Sequence, residues 1–547
     1  MRLSGSSIRF GGLLLAAFLT LSPAARADVA QAVPAVLAQA QRGAEAAPAA
    51  VRSAVGDLYR ARRNRPVWVD QPARAAAVRA LLQAATTDGM DAGRYAGPVE
   101  AGWQGQGDAA RAALDVALTR GLAAYAHDLW YGRPDAKVVD ESLSRRHERL
   151  DLAKFLAGAA QADAAGLARL VDGVRPPHPQ YAKLRAALAK LDAGTGPAEK
   201  AIAEGPILRP GVRDPRVAPV RERIEAEGEW SEAEELAFAV PNYAEGGDWS
   251  RYDEGLTRAV RRYQRRLALL DDGLVGGRTL WALNMDDRER RRIVAENMER
   301  LRWMPRHLEP DHIVVNMAGY DLNVMRGGQS VMTMKVVVGR PFRQTPIMRS
   351  DITDLVLNPF WNAPEKLAKE DLFPKLRSHP GYFAEKGYRV LAGWSQSAPE
   401  VPLSMVDTVR LSSPMGSVRV RQDPGPKNAL GRIKFNMANQ HAIYLHDTPD
   451  RHLFNRSARN FSSGCIRLEK PVELAELLLS DQAAGWPPER LNAAIEVGET
   501  RTVALRKRWP VYLVYQTAWV DGSGELVVRD DIYGLRAEGP GTKEKEG

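Results

Sequence analysis

Cys465 and His446 are the residue types that together carry out acyl transfer through a covalent intermediate, and the sequence sets each where chemistry rather than packing is served. The chain reads Ile443-Tyr-Leu-His-Asp447 and then Phe461-Ser-Ser-Gly-Cys-Ile-Arg-Leu468. In a strand alternate side chains share a face, so Ile443 and Leu445 are expected to face a core and Ala442, Tyr444 and His446 a cleft. Cys465 follows a Ser-Ser-Gly loop instead of sitting in an apolar repeat. A free thiol is a poor nucleophile until it is deprotonated. An adjacent imidazolium lowers its pKa, and the same imidazole then protonates a leaving amine. The backbone N–H groups of Gly464 and Cys465 are expected to converge on the attacked carbonyl oxygen. Arg467, two residues past the thiol, is expected to pair with a substrate carboxylate or to brace the loop.

The chain contains one cysteine, so no internal disulfide is available to it and Cys465 is left as a reactive thiol, an intermolecular bridge or a small buried hydrophobe. Arg2 and Arg9 precede an apolar run from Phe10 to Leu21, and Ala25-Arg26-Ala27 supplies small residues for cleavage. That pattern predicts a secretory signal over residues 1–27, or an inner-membrane anchor if it stays uncleaved. The net charge of +9 implies attraction to polyanions; no compact basic block interleaved with aromatics is present, and nucleic acid is not expected as a partner.

The elements that must position the pair follow from periodicity. Residues 28–50, rich in Ala, Gln and Pro, predict a flexible leader. Over 51–200 the spacing is helical, with Leu114, Ala117, Leu118, Gly121 and Tyr125 on one face and with Tyr59, Trp68, Trp130 and Tyr131 as aromatic pins. A Gly/Pro linker spans 193–198. Residues 205–285 hold Gly255 to Leu267, an Asp272-Gly-Leu-Val-Gly276 turn and a helix opening at Thr279; they resemble the small three-helix peptidoglycan-binding module. A charged helix from Asp286 to about Leu301 leads into β texture, with strands at His312–Asn316, Tyr320–Met325 and Met332–Val338 around a Gly327-Gly328 turn. Strand character returns at Ala442–His446; within 501–535, read as a C-terminal β segment apart from the catalytic domain, strands run from Val511 to Trp519 and from Glu525 to Val528, and 536–547 reads as a disordered tail. A helix opening at Pro471 is expected to bury Leu474, Leu477 and Leu478.

With the Cys465 and His446 segments stand Val338-Gly-Arg-Pro341, Asn358-Pro-Phe-Trp-Asn-Ala-Pro364, Gly425-Pro-Lys-Asn-Ala-Leu-Gly431 and Lys434-Phe435-Asn436. Over about 310–500 the chain resembles the L,D-transpeptidases of the YkuD type, and its layout resembles their large periplasmic branch. The resemblance implies a multidomain α+β protein: a helical scaffold, a binding module, and a mainly-β catalytic domain with a lid insertion at 364–423. It implies periplasmic work on peptidoglycan stem peptides, alongside cell-wall synthesis proteins and with no cofactor and no metal. Cys465 would attack the third residue of a tetrapeptide donor, release the terminal D-Ala, and pass the acyl group to a neighbouring amine as a 3→3 cross-link. The third catalytic position maps to the main-chain carbonyl of Asp447. Many members carry Ser-His-Gly-Cys where this chain has Ser462-Ser463-Gly464-Cys465, so Ser463 is a substrate-contact candidate only, with Trp361 and Tyr444.

Three other readings were weighed. Metal hydrolysis lacks an HExxH motif or a cysteine pair, and His441, His446 and His452 have no spacing suited to one helix face; His441 and His452 read as structural or surface residues. A non-catalytic wall-binding protein would not need both Cys465 and His446. Water or a lipoprotein lysine as acceptor would make the same acyl-enzyme an L,D-carboxypeptidase or an anchoring enzyme, and the sequence leaves that choice open.

Overall fold

The computed structural model describes residues 23–42, 48–134, 138–144, 148–193, 201–229, 249–267, 269–379, 381–395, 397–403, 418–480 and 485–535. The charged and apolar parts of the expected signal, most of the Gly/Pro linker and the expected 536–547 tail lie outside them. No helix among the described residues is long and apolar enough to cross a membrane. The chain divides into two compact units, the first comprising residues up to Thr86, Met90–Trp130 and Leu150–Arg175.

The first unit is helical: Ala49–Ala61, Pro72–Gln83, Ala92–Gly102, Asp108–Tyr131, Leu152–Ala159 and Ala164–Val174. Its aromatic pins are set by a carboxylate. Asp115, fully buried, accepts from the backbone N–H groups of Val67, Trp68 and Val69 and from the Tyr59 hydroxyl at 2.6 Å. The indole of Trp68 donates to Thr119, one turn on. Residues 28–50 were expected as a flexible leader, but Pro23–Arg42 is a helix with Val29 and Val33 buried in this unit's core. Its apolar residues recur every three to four positions and are obscured by intervening alanines, which fit either a coil or a helix.

The second unit begins its packing with Pro179–Ala193, whose Tyr181, Leu184 and Leu188 lie against Ile293, Val294 and Met298 of helix Asp287–Arg302. Asp286 caps that helix, accepting from Glu289 N–H at 2.7 Å, a contact of about 1 kcal/mol. Between them, Val217–Ala226, Glu254–Arg266 and Gly277–Leu283 enclose a core of Val220, Ile224, Leu256, Val260, Tyr263 and Leu283. Here Gln264 ties the Asp272–Leu274 turn, donating to Leu274 O and accepting from Gly273 N–H.

The β region is a closed sheet. Strands β1 (His312–Asn316), β2 (Asp321–Arg326) and β3 (Gln329–Gly339) form a meander; β4 is Met348–Leu357, β8 Ile433–Met437, β9 Leu445–His446, β10 Asn460–Ser462, β11 Ile466–Leu468 and β12 Arg501–Val514. Their order is β10-β3-β11-β9-β8-β4-β12-β1-β2, and β3 also pairs with β2, which closes the ring. Ile313, Leu322, Val336, Leu357, Phe435, Leu445, Ile466 and Val511 fill its interior. Residues 501–514 therefore belong to the ring rather than to a separate C-terminal element: β12 lies between β4 and β1, paired with both, whereas Ala518–Val520 and Leu526–Val528 pair with each other as the expected late strands. The chain must return to the first strand to leave no open edge.

The 364–423 insertion has its own core of Trp361, Leu372, Phe373, Phe383, Val390 and Val420. It consists of short helices, including Phe373–Ser378 and Tyr382–Lys386, on a small sheet of β5 (Trp361–Asn362), β7 (Arg419–Gln422) and β6 (Tyr388–Leu391).

Candidate active site

Strand register brings the chemistry together. β11 runs parallel to β9 with Arg467 opposite His446, and antiparallel to β3 with Arg467 opposite Val337; β8 places Lys434 opposite His446. Paired residues share a face. Since Phe435, Leu445 and Ile466 fill the interior, Lys434, His446 and Arg467 stand together on the outer face. Cys465 occupies the reversal between β10 and β11, and the following residue, Ile466, donates its N–H to Tyr444 O at 3.1 Å. The helix expected after it is Pro471–Leu479, with Leu474 and Leu478 buried.

The reversal depends on Gly464. Its φ is +115°, and a Cβ there would meet Ile443 Cδ1 at 3.0 Å. Ser462 Oγ spans the loop, donating to Cys465 O at 2.5 Å and accepting from Gly464 N–H at 3.1 Å. Gly464 was expected to offer its N–H to an oxyanion. In this structure that donor is committed to Ser462, a competition a loop rich in serine makes easy. Thr345 Oγ1 holds Gly464 O at 2.7 Å, and Tyr533 in turn contacts both Thr345 N and Gly339 O.

His446 is buried, and its Nδ1 lies 2.6 Å from the main-chain oxygen of Asp447. A carbonyl only accepts, so Nδ1 carries the proton and Nε2 presents its lone pair. Burial first, then the charges of Arg467 and Lys434, push the imidazole down to about 3. Burial also raises the Cys465 thiol, with Tyr444, Lys434 and Arg467 acting in the opposite direction. The sequence argument expected an imidazolium beside the thiol. The structure favours a neutral imidazole instead, because burial opposes its charge and, after burial, two cations on the same face oppose it further.

Tyr444 is buried beside Cys465 and Trp361, and burial first, then the thiol, raise its hydroxyl. Its ring lies 4.3 Å below Lys434 Nζ and 5.6 Å from the His446 ring. Trp361 is only 8% exposed and packs on Tyr388 within the insertion, so it holds Tyr444 rather than forming an open wall. Arg467 Nη1 donates to Asp450 at 2.9 Å and so braces the segment after His446. Ser463 receives Arg343 Nη1 at 3.1 Å. His441 pairs with Asp140 at 2.7 Å, and the half-buried Cys465 thiol faces Ala442 O at 3.7 Å.

Arg343, Asn439 and Tyr533 escaped the sequence reading, and Lys434 entered it only within the Lys434-Phe435-Asn436 segment, with no role assigned. Asn439 clamps the turn around Ala442, accepting from His441 and Ile443 N–H and donating to Ile443 O at 2.7 Å. Only Lys434 carried a usable signal, being one strand position from an inward Phe435. The others act through contacts more than a hundred residues apart or through backbone groups.

Comparison with known proteins agrees with this architecture. Residues 310–503 match the family model of the YkuD L,D-transpeptidase catalytic domain, and residues 53–188 match that of a scaffold domain. The chain thus carries a YkuD-type catalytic domain behind a helical scaffold. A protein of Haemophilus influenzae described as "Putative L,D-transpeptidase" is 41% identical over 241 residues, 44% of this chain and 47% of that protein. The match spans about half the length of that relative. Among solved structures, an L,D-transpeptidase from Mycobacterium smegmatis is 11% identical over 37% of this chain and 58% of its own, with a TM-score of 0.18. A mutant Enterococcus faecium L,D-transpeptidase is 11% identical over 38% and 52%, with a TM-score of 0.15.

Proposed function

We propose that this chain is a cysteine-dependent L,D-transpeptidase that forms 3→3 cross-links between peptidoglycan stems in the periplasm. The observation that carries the reading is the outer sheet face: Nδ1–H of His446 is fixed on Asp447 O while Cys465 is placed at the head of the adjoining strand, where Ile466 N–H donates to Tyr444 O. In this reading Nε2 accepts the thiol proton as sulfur attacks the carbonyl of the third stem residue. The tetrahedral intermediate expels the terminal D-Ala, whose amine takes that proton back from His446, and a thioester remains. The amine of a second stem then attacks the thioester, losing a proton to His446 and returning the thiol. The Cys465 N–H serves as the oxyanion donor. The three-helix unit at 205–285 fits a wall-binding role, with the synthesis machinery of the wall as partner.

The test is to incubate wild-type and Cys465→Ala protein with disaccharide-tetrapeptide and follow the products by mass spectrometry. Cysteine-dependent dimers lacking one D-Ala are expected. Cysteine-dependent tripeptide without dimers would make water the acceptor, and product from Cys465→Ala would overturn the nucleophile assignment.

A further inference from the structure

The outer face that carries His446 and Arg467 continues across Val337 and Lys335 of β3 to Asp321 of β2 and Asn316 of β1, as strand pairing requires. Beyond Lys335 this face becomes the floor of a cleft of about 840 Å³, within the ~300–1,000 Å³ typical of ligand sites. None of Cys465, His446, Tyr444 or Trp361 lines it.

Its chemistry is cationic. Lys335, Arg456, Arg459 and Arg529 line it, against the carboxylates of Asp321 and Asp271. Arg459 Nη1 donates to Arg456 O at 2.8 Å and Nη2 to Tyr320 O at 3.2 Å, while its Nε is buried without a hydrogen-bond partner. These acceptors are neutral carbonyls, so its charge is not met by a bonded carboxylate. Arg529 is 9% exposed; burial and then the charges of Arg459 and Arg278 push its guanidinium down to about 10. The buried Arg529 and the half-buried Arg459 repel each other at the wall of a wide cleft with the Asp321 carboxylate near both, and the planar fork of a guanidinium matches an incoming carboxylate. The lining also has an aliphatic part: Val314 and Val514 continue the floor beside Asn316, and Met304 and Leu308 complete it.

We infer that this cleft binds an acidic peptide by its carboxylates through Arg459 and Arg529, as a second stem-peptide site separate from the Cys465 pocket. Naming the stem peptide rests on the proposed transpeptidase reading. Arg456, Ser457 and Arg459 of the lining run directly into β10 and the Cys465 loop, so a stem held there stays close in the chain to the site that consumes it.

The full chain carrying Cys465→Ala is titrated with stem tetrapeptide by calorimetry. Two molecules per chain are expected. Adding Arg459→Gln and Arg529→Gln is expected to leave one, the affinity of the lost site falling at least tenfold. A tetrapeptide amidated at its carboxylates should likewise bind once. Lys335→Glu, an exposed charge reversal, is expected to weaken the same site several-fold and guards against misfolding of the double variant. Binding of one molecule to the parent, or of two to all variants alike, overturns the inference. D-Ala release by the Cys465 protein separates the two readings: its absence defeats the transpeptidase proposal, whereas release without a second bound peptide defeats only the cleft.

Discussion

Cys465 and His446 rest as a thiol and a neutral imidazole, since burial opposes charge on both and Lys434 and Arg467 oppose it on His446. An ion pair would alkylate at a rate nearly flat between pH 6 and 8. The neutral pair instead predicts that iodoacetamide reacts with Cys465 along a pH curve whose inflection lies above that of a free thiol measured alongside. Lys434 favours the thiolate, so Lys434→Gln should move the inflection higher still. It also removes a cation that depresses His446, raising the imidazole, which nuclear magnetic resonance titration of that ring would record. Gly464 is the other residue whose identity is fixed by geometry. Gly464→Ala adds a Cβ at 3.0 Å from Ile443 Cδ1 in a left-handed conformation, a strain of about 1–3 kcal/mol. The loop should relax by losing the Cys465 placement, so acylation falls at least tenfold while the thermal midpoint moves by a few degrees.

At the scale of elements, the Arg343 side chain ties the insertion to the Cys465 loop. Arg343 grips Asp371 at 2.7 and 3.0 Å and Glu370 at 2.6 Å while donating to Ser463 Oγ. Charge-assisted hydrogen bonds of this kind contribute about 1.5–3 kcal/mol each. Arg343→Gln should therefore increase opening of the insertion roughly tenfold or more, read as faster limited proteolysis within 364–423. Segment 138–144 is joined to the sheet through Asp140 and His441 and through a bridge between Val139 and Ile347. The hydrogen bonds of Ser142 and His441 outweigh partial burial and hold the Asp140 carboxyl down to about 2. A depressed carboxylate stabilises the fold above its unfolded pKa, near 3.9, and that contribution is lost as pH falls through about 2. Wild type should exceed Asp140→Asn in stability at pH 5, with the gap closing between pH 4 and 2 in denaturant titrations.

Across the whole second unit, the C-terminal residues complete the site that lies earlier in the chain. Tyr533 stacks on Tyr515 with ring centroids 5.2 Å apart and donates to Gly339 O at 2.8 Å, next to the Thr345 that holds Gly464. Tyr533→Phe keeps the stacking and removes the hydrogen bonds. The expected result is a stability loss of about 1–2 kcal/mol by urea titration and a several-fold lower acylation rate.

Much of this architecture was legible locally. Strands β1 to β3, the Pro471–Leu479 helix and the helices of the first unit announce themselves by apolar period, a property of neighbouring residues. The thiol, the imidazole and the glycine between loop and strand could be named because reactive side chains and positive-φ residues are few in kind. β4, β8 and most of β12 were not seen. Arg506, Lys507 and Arg508 interrupt the pattern of β12, and its place in the ring depends on pairing with strands far off in sequence. The sequence by itself determined which thiol and which imidazole are the candidate nucleophile and base, and the period of most elements, because those follow from side-chain chemistry and local geometry. Only the tertiary structure decided that the pair rests uncharged, that Ser462 takes the Gly464 N–H, and that Arg343 and Tyr533 hold the loop. Burial, charge–charge distance and the direction of a hydrogen bond exist only once distant segments are brought together.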